Sequence, residues 1–273
     1  MTDNNSLLQF FAHYIESQLG IVYMEANYFQ LEHRLKDIAS QLGLSGIEEL
    51  HQKARIGIEG QMKGLILDLA TNNETSFFRD GSIFKALSEY MVPALCQTSP
   101  KNRLSLWSAA SSSGQEAYSI AMELAELQAK NSATPGFSML VSDISDTILK
   151  RAKEGKYSQL EIQRGLPAKL QEQYFEKLEN DYWKVKSSLQ SHMEFKKLNL
   201  LGDWGSIGPF DIIFVRNVLI YQSVENKKKV IAHMHEKLNP GGFLVLGAAE
   251  SLFGLSDKFK QVAHNGAIIY QRL

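Results

Sequence analysis

From residue 101 to the C-terminus the chain alternates short apolar runs with amphipathic segments, and this rhythm admits few folds. Apolar runs separated by helical stretches read as βαβ units, which assemble into a mostly parallel sheet covered by helices. Strands are expected near Arg103 to Ser108, Phe137 to Ser142, Glu194 to Lys196, Asp211 to Val215 and Phe243 to Gly247, with a last one between Ala263 and Arg272. Helices are expected near Gln115 to Lys130, Asp146 to Glu154 and Val224 to Leu238, the last stopping at Asn239-Pro240-Gly241-Gly242. The rhythm breaks between Lys156 and Leu198. There the alternation of Tyr182-Trp183-Lys184-Val185-Lys186 predicts a small antiparallel insertion, over about 156–198, beside a helix around Pro167 to Phe175.

Ahead of the sheet the pattern is helical. Leu7, Phe10, Phe11, Tyr14, Ile15 and Leu19 recur at three-to-four spacing, as do Leu31, Leu35, Ile38 and Leu42, with Gly20 and Gly43 as stops. Further helices are expected from Ile47 to Arg55, Gln61 to Leu69 and Ser82 to Tyr90. A length of 273 residues suits two unequal domains. The expected division is a helical domain and linker over 1–93 and a sheet domain over 94–273.

A net charge of −1, with 44% hydrophobic and 22% charged residues, describes a chain with an ordinary core and no basic field for nucleic acid. The single cysteine, Cys96, cannot form an intramolecular disulfide and reads as a buried structural thiol, so a reducing cytosol is the expected compartment. Met1 to Asn5 lacks the basic start of a signal peptide, and no apolar run approaches the ~20 residues that span a bilayer, so membrane contact is expected only through a partner. His233 and His235 sit two apart on a helix and face different directions, and no metal site is expected. Arg34, Lys36, Lys53, Arg55 and Lys63 mix with Glu32, Asp37, Glu48 and Glu49, which suits either a docking face or a plain solvated surface.

The chemistry is expected at the first strand-to-helix turn, Trp107-Ser108-Ala109-Ala110-Ser111-Ser112-Ser113-Gly114-Gln115-Glu116, because open parallel sheets bind ligands at the carboxyl ends of their strands. One glycine does not make a GxGxxG fingerprint, and a serine capping the helix explains the turn equally well. Asp143 ends the second strand, where a carboxylate can take both hydroxyls of a ribose or merely cap the next helix. The sheet alone does not separate a dehydrogenase from an adenosylmethionine-dependent methyltransferase; the missing glycines favour the latter. Upstream, Thr71-Asn72-Asn73-Glu74-Thr75-Ser76-Phe77-Phe78-Arg79-Asp80 carries more polar specificity than a core segment needs, although Phe77 and Phe78 themselves read as packing.

These motifs, in this order, resemble the chemotaxis receptor methyltransferases of the CheR family. Asn73, Thr75, Phe77, Phe78 and Arg79 match the family's Asn-x-Thr-x-Phe-Phe-Arg element. Ser108, Ala109, Ala110, Ser112, Gly114 and Glu116 match its Ser-Ala-Ala-x-Ser-x-Gly-x-Glu element. Asp143 matches its ribose-binding aspartate, Asn199-Leu200 its Asn-Leu element, and the run from Phe214 through Arg216 and Asn217 to Tyr221 its Cys-Arg-Asn-Val-x-Ile-Tyr signature. Gln115, Ala117 and Val215 depart from the usual glutamate, proline and cysteine.

The resemblance implies a class I methyltransferase fold, Rossmann-like and mostly parallel, with an all-α N-terminal domain and a small antiparallel insertion. It implies S-adenosylmethionine as cofactor, S-adenosylhomocysteine as product, and methyl transfer to glutamate side chains on the cytoplasmic coiled coils of membrane chemoreceptors. The enzyme would then work in the cytoplasm at receptor arrays. Cofactor contacts are expected from Asn73, Thr75, Arg79, Ala109, Gly114, Glu116, Asp143, Asn199, Leu200, Arg216 and Asn217. Arg79 would clamp the cofactor carboxylate or orient the glutamate, unless it serves a structural salt bridge; Tyr221 would lend its hydroxyl, unless it is a core tyrosine. In some members a glycine-rich loop of the insertion binds a receptor tail. Glu176 to Phe195 contains no glycine, so independence from that tether is expected. A non-catalytic module of the same fold, and a methyltransferase acting on another substrate, are the alternatives.

Overall fold

The computed structural model describes residues 4–71, 73–98 and 101–273. Asn72 of the polar stretch, the first three residues, used above in the signal-peptide argument, and Pro100 lie outside them. Four helices come first: α1 (Asn4–Leu19), α2 (Tyr28–Gln41), α3 (Ile47–Ile56) and α4 (Gly60–Ala70). The predicted stripes meet in one apolar core, with Leu7, Phe11 and Ile15 against Leu31, Leu35, Leu50 and Ile66. Gly20 ends α1 in the left-handed conformation, its N–H donating 2.7 Å to Glu16 O. A Cβ at Gly20 would lie 2.0 Å from Gln222 Oε1 and 2.7 Å from Leu201 Cδ1. The glycine therefore stops the helix and lets it approach the sheet unit closely.

Next come α5 (Ser82–Ala86), a π-helical turn over Leu87–Met91, and α6 (Val92–Thr98). The helix predicted from Ser82 to Tyr90 thus runs on to Thr98, and residue 93 falls inside it. Pro93 is tolerated because it lies in the first turn of α6, just after the wider turn, where an N–H is not needed for regular helical pairing.

The sheet unit follows as β1 (Arg103–Ala109), α7 (Gln115–Lys130), β2 (Gly136–Asp143), α8 (Asp146–Glu154), β3 (Lys156–Ser158), α9 (Gln159–Gln163), α10 (Ala168–Tyr174), β4 (Phe175–Lys177), β5 (Tyr182–Val185), α11 (Ser187–Gln190), β6 (Met193–Lys197), β7 (Phe210–Val215), α12 (Val224–Lys237), β8 (Leu238–Leu246), β9 (Phe259–His264) and β10 (Ala267–Arg272). Seven strands form one sheet in the order β6-β2-β1-β7-β8-β10-β9, parallel from β6 to β8, with β10 antiparallel to both its neighbours. β7 is buried along its whole length and reads as an apolar run broken only by Asp211, whereas β1, nearly as buried, sets Leu104, Leu106 and Trp107 among Ser105 and Ser108. The direction of strand succession reverses at β1, which has β2 on one side and β7 on the other. That reversal opens a crevice at the strand ends. The architecture is the expected class I, Rossmann-like sheet with an all-α N-terminal part and a three-stranded antiparallel insertion, β3-β5-β4.

Two strand expectations are corrected. The single strand predicted between Ala263 and Arg272 is a hairpin of β9 and β10, turned at Asn265 and Gly266 with φ of 46° and 83°. Asn-Gly supplies the two positive φ values that a tight hairpin turn requires. α12 ends at Lys237, as expected, but β8, expected from Phe243, already begins at Leu238 and takes in Asn239-Pro240-Gly241-Gly242. The four residues form a bulge in β8, where pairing jumps from Phe210↔Leu238 to Ile212↔Phe243.

Phe77 ties the polar stretch to the sheet unit: it is fully buried, edge-on to Tyr157 at 5.0 Å and to Phe175 at 5.6 Å. Phe77→Ala is expected to destabilise the fold by about 3–5 kcal/mol, read as a lower urea midpoint at unchanged slope; an unchanged midpoint would refute this packing role.

Candidate active site at the carboxyl ends of the strands

The turn from β1 to α7 is strained. Ala110 and Ser112, both non-glycine, sit at φ of 53° and 51°, and Gly114 at 93°. Each such residue costs on the order of 1–3 kcal/mol, a conformation that persists where the surroundings enforce it. They do: Ser111 N–H donates to Ser142 O at 2.9 Å, Ser112 N–H to Asp143 Oδ2 at 2.9 Å, and Ser112 Oγ to Asn73 O at 2.9 Å. Ala110, Ser111 and Ser112 line a cleft of about 1020 Å³, counting its solvent-open mouth. No serine caps α7, whose N-cap is Gly114 without a side-chain bond.

Asp143 also faces this cleft and is buried. Burial pushes its carboxyl above the usual aspartate range, offset in part by N–H donors from Ser145, Ser112 and Ile144, while the charge of Asp68 raises it further. The cap of α8 is Ser145, whose Oγ accepts from Ile148 N at 3.1 Å, so Asp143 is not spent as that cap. Ser112 and Ser145 each donate to one of its two oxygens, which leaves acceptor capacity for a ligand.

Arg216, at the end of β7, is the hub of the opposite wall. Its guanidinium is almost fully buried and donates to Glu116 Oε2 at 3.0 Å, Asp80 Oδ2 at 2.7 Å and Arg79 O at 2.8 Å. Glu116 is fixed from its other side by Ser108 Oγ at 2.9 Å. Arg79 lines the cleft with its Nη1 donating to Glu74 O at 3.3 Å, and it forms no ion pair among the described residues. Asn73 and Thr75 line the same wall, the Asn73 amide meeting Thr71 Oγ1 at 3.1 Å. At the mouth, Asn217 and Tyr221 complete the lining; Tyr221 is 37% exposed and is not a core residue.

Asn199 and Leu200 border the cleft after β6, but the Asn199 amide has a second task. Its Nδ2 donates to Gln18 O at 2.7 Å and its Oδ1 accepts from Leu201 N at 3.0 Å. Gln222 Nε2 likewise holds Leu19 O at 2.8 Å. These amides satisfy carbonyls at the end of α1 and bring Leu19 and Ile21 to the cleft wall.

Two of the expected contacts are not brought to the cleft. Ala109 is packed into the sheet core with Trp107, Val215 and Leu246. Gly114 faces α8 instead: a Cβ there would meet Ala152 Cβ at 3.0 Å and Tyr157 Oη at 3.1 Å, so this glycine permits helix packing. Conversely, sequence reading did not single out Asp80, Gln18 or Glu250, whose carboxylate accepts from the backbone around Asn217. Asp80 stood inside the motif; Gln18 and Glu250 act over separations that leave no local pattern. Among the described residues no group of histidine, cysteine and carboxylate side chains could hold a metal.

S-adenosylmethionine fits this cleft. Three buried polar atoms on its lining residues, Ser111 Oγ, Arg216 Nε and Gln222 Oε1, have no hydrogen-bond partner among the described residues. Asp143 would hold the ribose hydroxyls there, and Asn199 and Leu200, which also line the cleft, would border the base. Because the folded pKa of Asp143 is raised, the stability it contributes is present below the ordinary carboxyl range and is lost as pH rises through the raised value. A ligand hydroxyl favours the ionised form, so affinity for S-adenosylhomocysteine is expected to rise with pH through the acid range. Asp143→Asn is expected to lower that affinity about 10–100-fold and flatten its pH dependence in calorimetry; unchanged affinity would remove Asp143 from the ribose site.

A family model described as the CheR methyltransferase, SAM binding domain, matches residues 73–268. The chain is 37% identical over 273 residues to chemotaxis protein methyltransferase Cher2 of Pseudomonas putida, covering 99% of both chains. It is 39% identical over 262 residues to a chemotaxis protein methyltransferase of Vibrio parahaemolyticus, covering 96% of this chain and 94% of the relative. It is 36% identical over 273 residues to chemotaxis protein methyltransferase 1 of Pseudomonas aeruginosa, covering 99% of both. With the sheet order, the acidic and amide side chains of the cleft and these matches in agreement, the chain belongs to the CheR family of S-adenosylmethionine-dependent chemotaxis methyltransferases.

Proposed function

We propose that this methyltransferase esterifies glutamate side chains on the cytoplasmic coiled coils of membrane chemoreceptors. The observation that carries the reading is the joint placement of Arg79 and Tyr221 on the cleft that also holds Asp143. The bound cofactor supplies an electrophilic methyl group on a sulfonium. A glutamate with a reference pKa of about 4.3 is already anionic at neutral pH, so the site needs no general base. Its task is to align the carboxylate and exclude water. Arg79, whose fork forms no ion pair among the described residues, suits a carboxylate bidentately, and Tyr221, on the lining of the same cleft, would lend its hydroxyl to the same group. Glu116, Asn73, Thr75 and Asn217, which line the same cleft, would hold the polar half of the cofactor.

In this reading residues 94–273 supply most of the cofactor site, the linker residues Asn73, Thr75 and Arg79 complete it, and the helices of the part over 1–93 close the cleft and meet the receptor. No helix among the described residues is long and apolar enough to cross a membrane, which suits an enzyme working in the cytoplasm and recruited to receptor arrays. On the helical part Lys36 pairs with Glu32 and Lys53 with Glu49 along their own helices. The insertion turns from β4 to β5 through Asn180 and Asp181, both at φ of 55°, a tight connection in place of a glycine-rich loop. This supports independence from a receptor tail.

Transfer of labelled methyl from S-adenosylmethionine to receptor-containing membranes, followed by base-labile methanol release, tests the reading. Arg79→Ala is expected to reduce turnover about 10²-fold or more with cofactor binding retained in part. Label that resists base, or turnover unaffected by Arg79→Ala, would contradict it. A receptor tail peptide is expected to give no heat of binding, and tight binding would overturn tether independence.

A further inference from the structure

Glu250 lies beyond β8, outside every motif described above, yet its carboxylate accepts five backbone N–H groups. Oε2 accepts from Asn217 at 2.8 Å and Gly247 at 2.7 Å; Oε1 accepts from Val218 at 3.0 Å, Leu219 at 2.8 Å and Ile220 at 3.2 Å. Four consecutive N–H groups converge on one side chain because Asn217 is left-handed, at φ 60°, and the chain then coils tightly over Leu219–Tyr221. The end of β8 is fitted to the same carboxylate. A Cβ on Gly247 would lie 2.8 Å from Asn217 N, Asn217 Nδ2 and Glu250 Oε2 alike. The loop so held delivers Asn217, Val218 and Tyr221 to the cleft. Tyr221 lies at the cleft mouth, 37% exposed, and takes its position from this backbone.

We infer that Glu250 is a positioning residue for methyl transfer: its carboxylate gathers the N–H groups of residues 217–220 and thereby sets Asn217 and Tyr221 against the reacting groups. The inference rests on the role given to Tyr221 under the proposed function. A charged acceptor is required, because an amide would turn a donor toward N–H donors and a shorter side chain would not span all five. Displacing a catalytic group by an ångström can cost about 10²-fold in rate with the cofactor pocket otherwise intact.

The test compares Glu250→Gln, Glu250→Asp, Gly247→Ala and Tyr221→Phe in methyl transfer to receptor-containing membranes, each assayed well below its melting midpoint. Glu250→Gln is expected to lower kcat about 10²-fold while KM for S-adenosylmethionine changes far less, because Asp143 and Glu116 are untouched. Glu250→Asp should restore part of kcat, and Gly247→Ala should reproduce the loss with the carboxylate still present. In a Tyr221→Phe background, Glu250→Gln should cost much less than it does alone. An unchanged kcat, or equal losses of kcat, binding and folding, would overturn the inference. If Tyr221→Phe alone has no effect, the role proposed for Tyr221 fails, while kcat loss in Glu250→Gln still reports positioning through Asn217. Hydrogen exchange over residues 216–221 is independent of any acceptor. Faster exchange in Glu250→Gln is expected, and unaltered exchange would show that Glu250 does not hold the loop even where wild-type transfer is absent.

Discussion

The buried guanidinium of Arg216 is where three distant stretches of the chain meet. From the end of β7 it grips Glu116 on α7 and both Asp80 and the Arg79 carbonyl upstream of α5. A charge so far from water is stable only with its partners in place, and removing one partner typically costs about 3–5 kcal/mol. The polar stretch, the strand-to-helix turn and the loop after β7 are therefore held in one geometry. Arg79 inherits its position from this hub, because the group that Arg216 holds is its own backbone carbonyl.

A second set of contacts ties the helical part to the same site. Asn199 and Gln222 satisfy the final carbonyls of α1, and Gly20 leaves the space that allows this approach. Leu19 and Ile21 then serve as cleft wall, so the N-terminal helical part takes part in forming the cleft. The strain of the turn at Ala110 and Ser112 is maintained across this junction, since Ser112 is bonded to Asn73 on one side and Asp143 on the other.

How much of this was legible in the sequence depended on whether the cause was local. β7 was legible because burial on both faces demands a nearly continuous apolar run, β1 and β2 because their short apolar runs stand between amphipathic segments, and α7 and α8 because those segments are amphipathic at helical spacing. The hairpin at Asn265-Gly266 was legible too, but the apolar run of β10 drew attention from its turn. Ala109 and Gly114 lie off the cleft lining because small residues serve packing as well as ligand approach, and sequence does not say which side they face. Glu250 and the second task of Asn199 were illegible in principle: each joins residues far apart in the chain, and nothing in the local spacing records it.

The central claim is that this cleft directs a methyl group onto a carboxylate oxygen. Tandem mass spectrometry of receptor peptides, after incubation of the enzyme with S-adenosylmethionine and receptor-containing membranes, tests it most directly. Methyl esters on glutamate side chains of the cytoplasmic region, lost on mild base treatment, are expected. Methyl groups found only on nitrogen or sulfur atoms, stable to base, would contradict it.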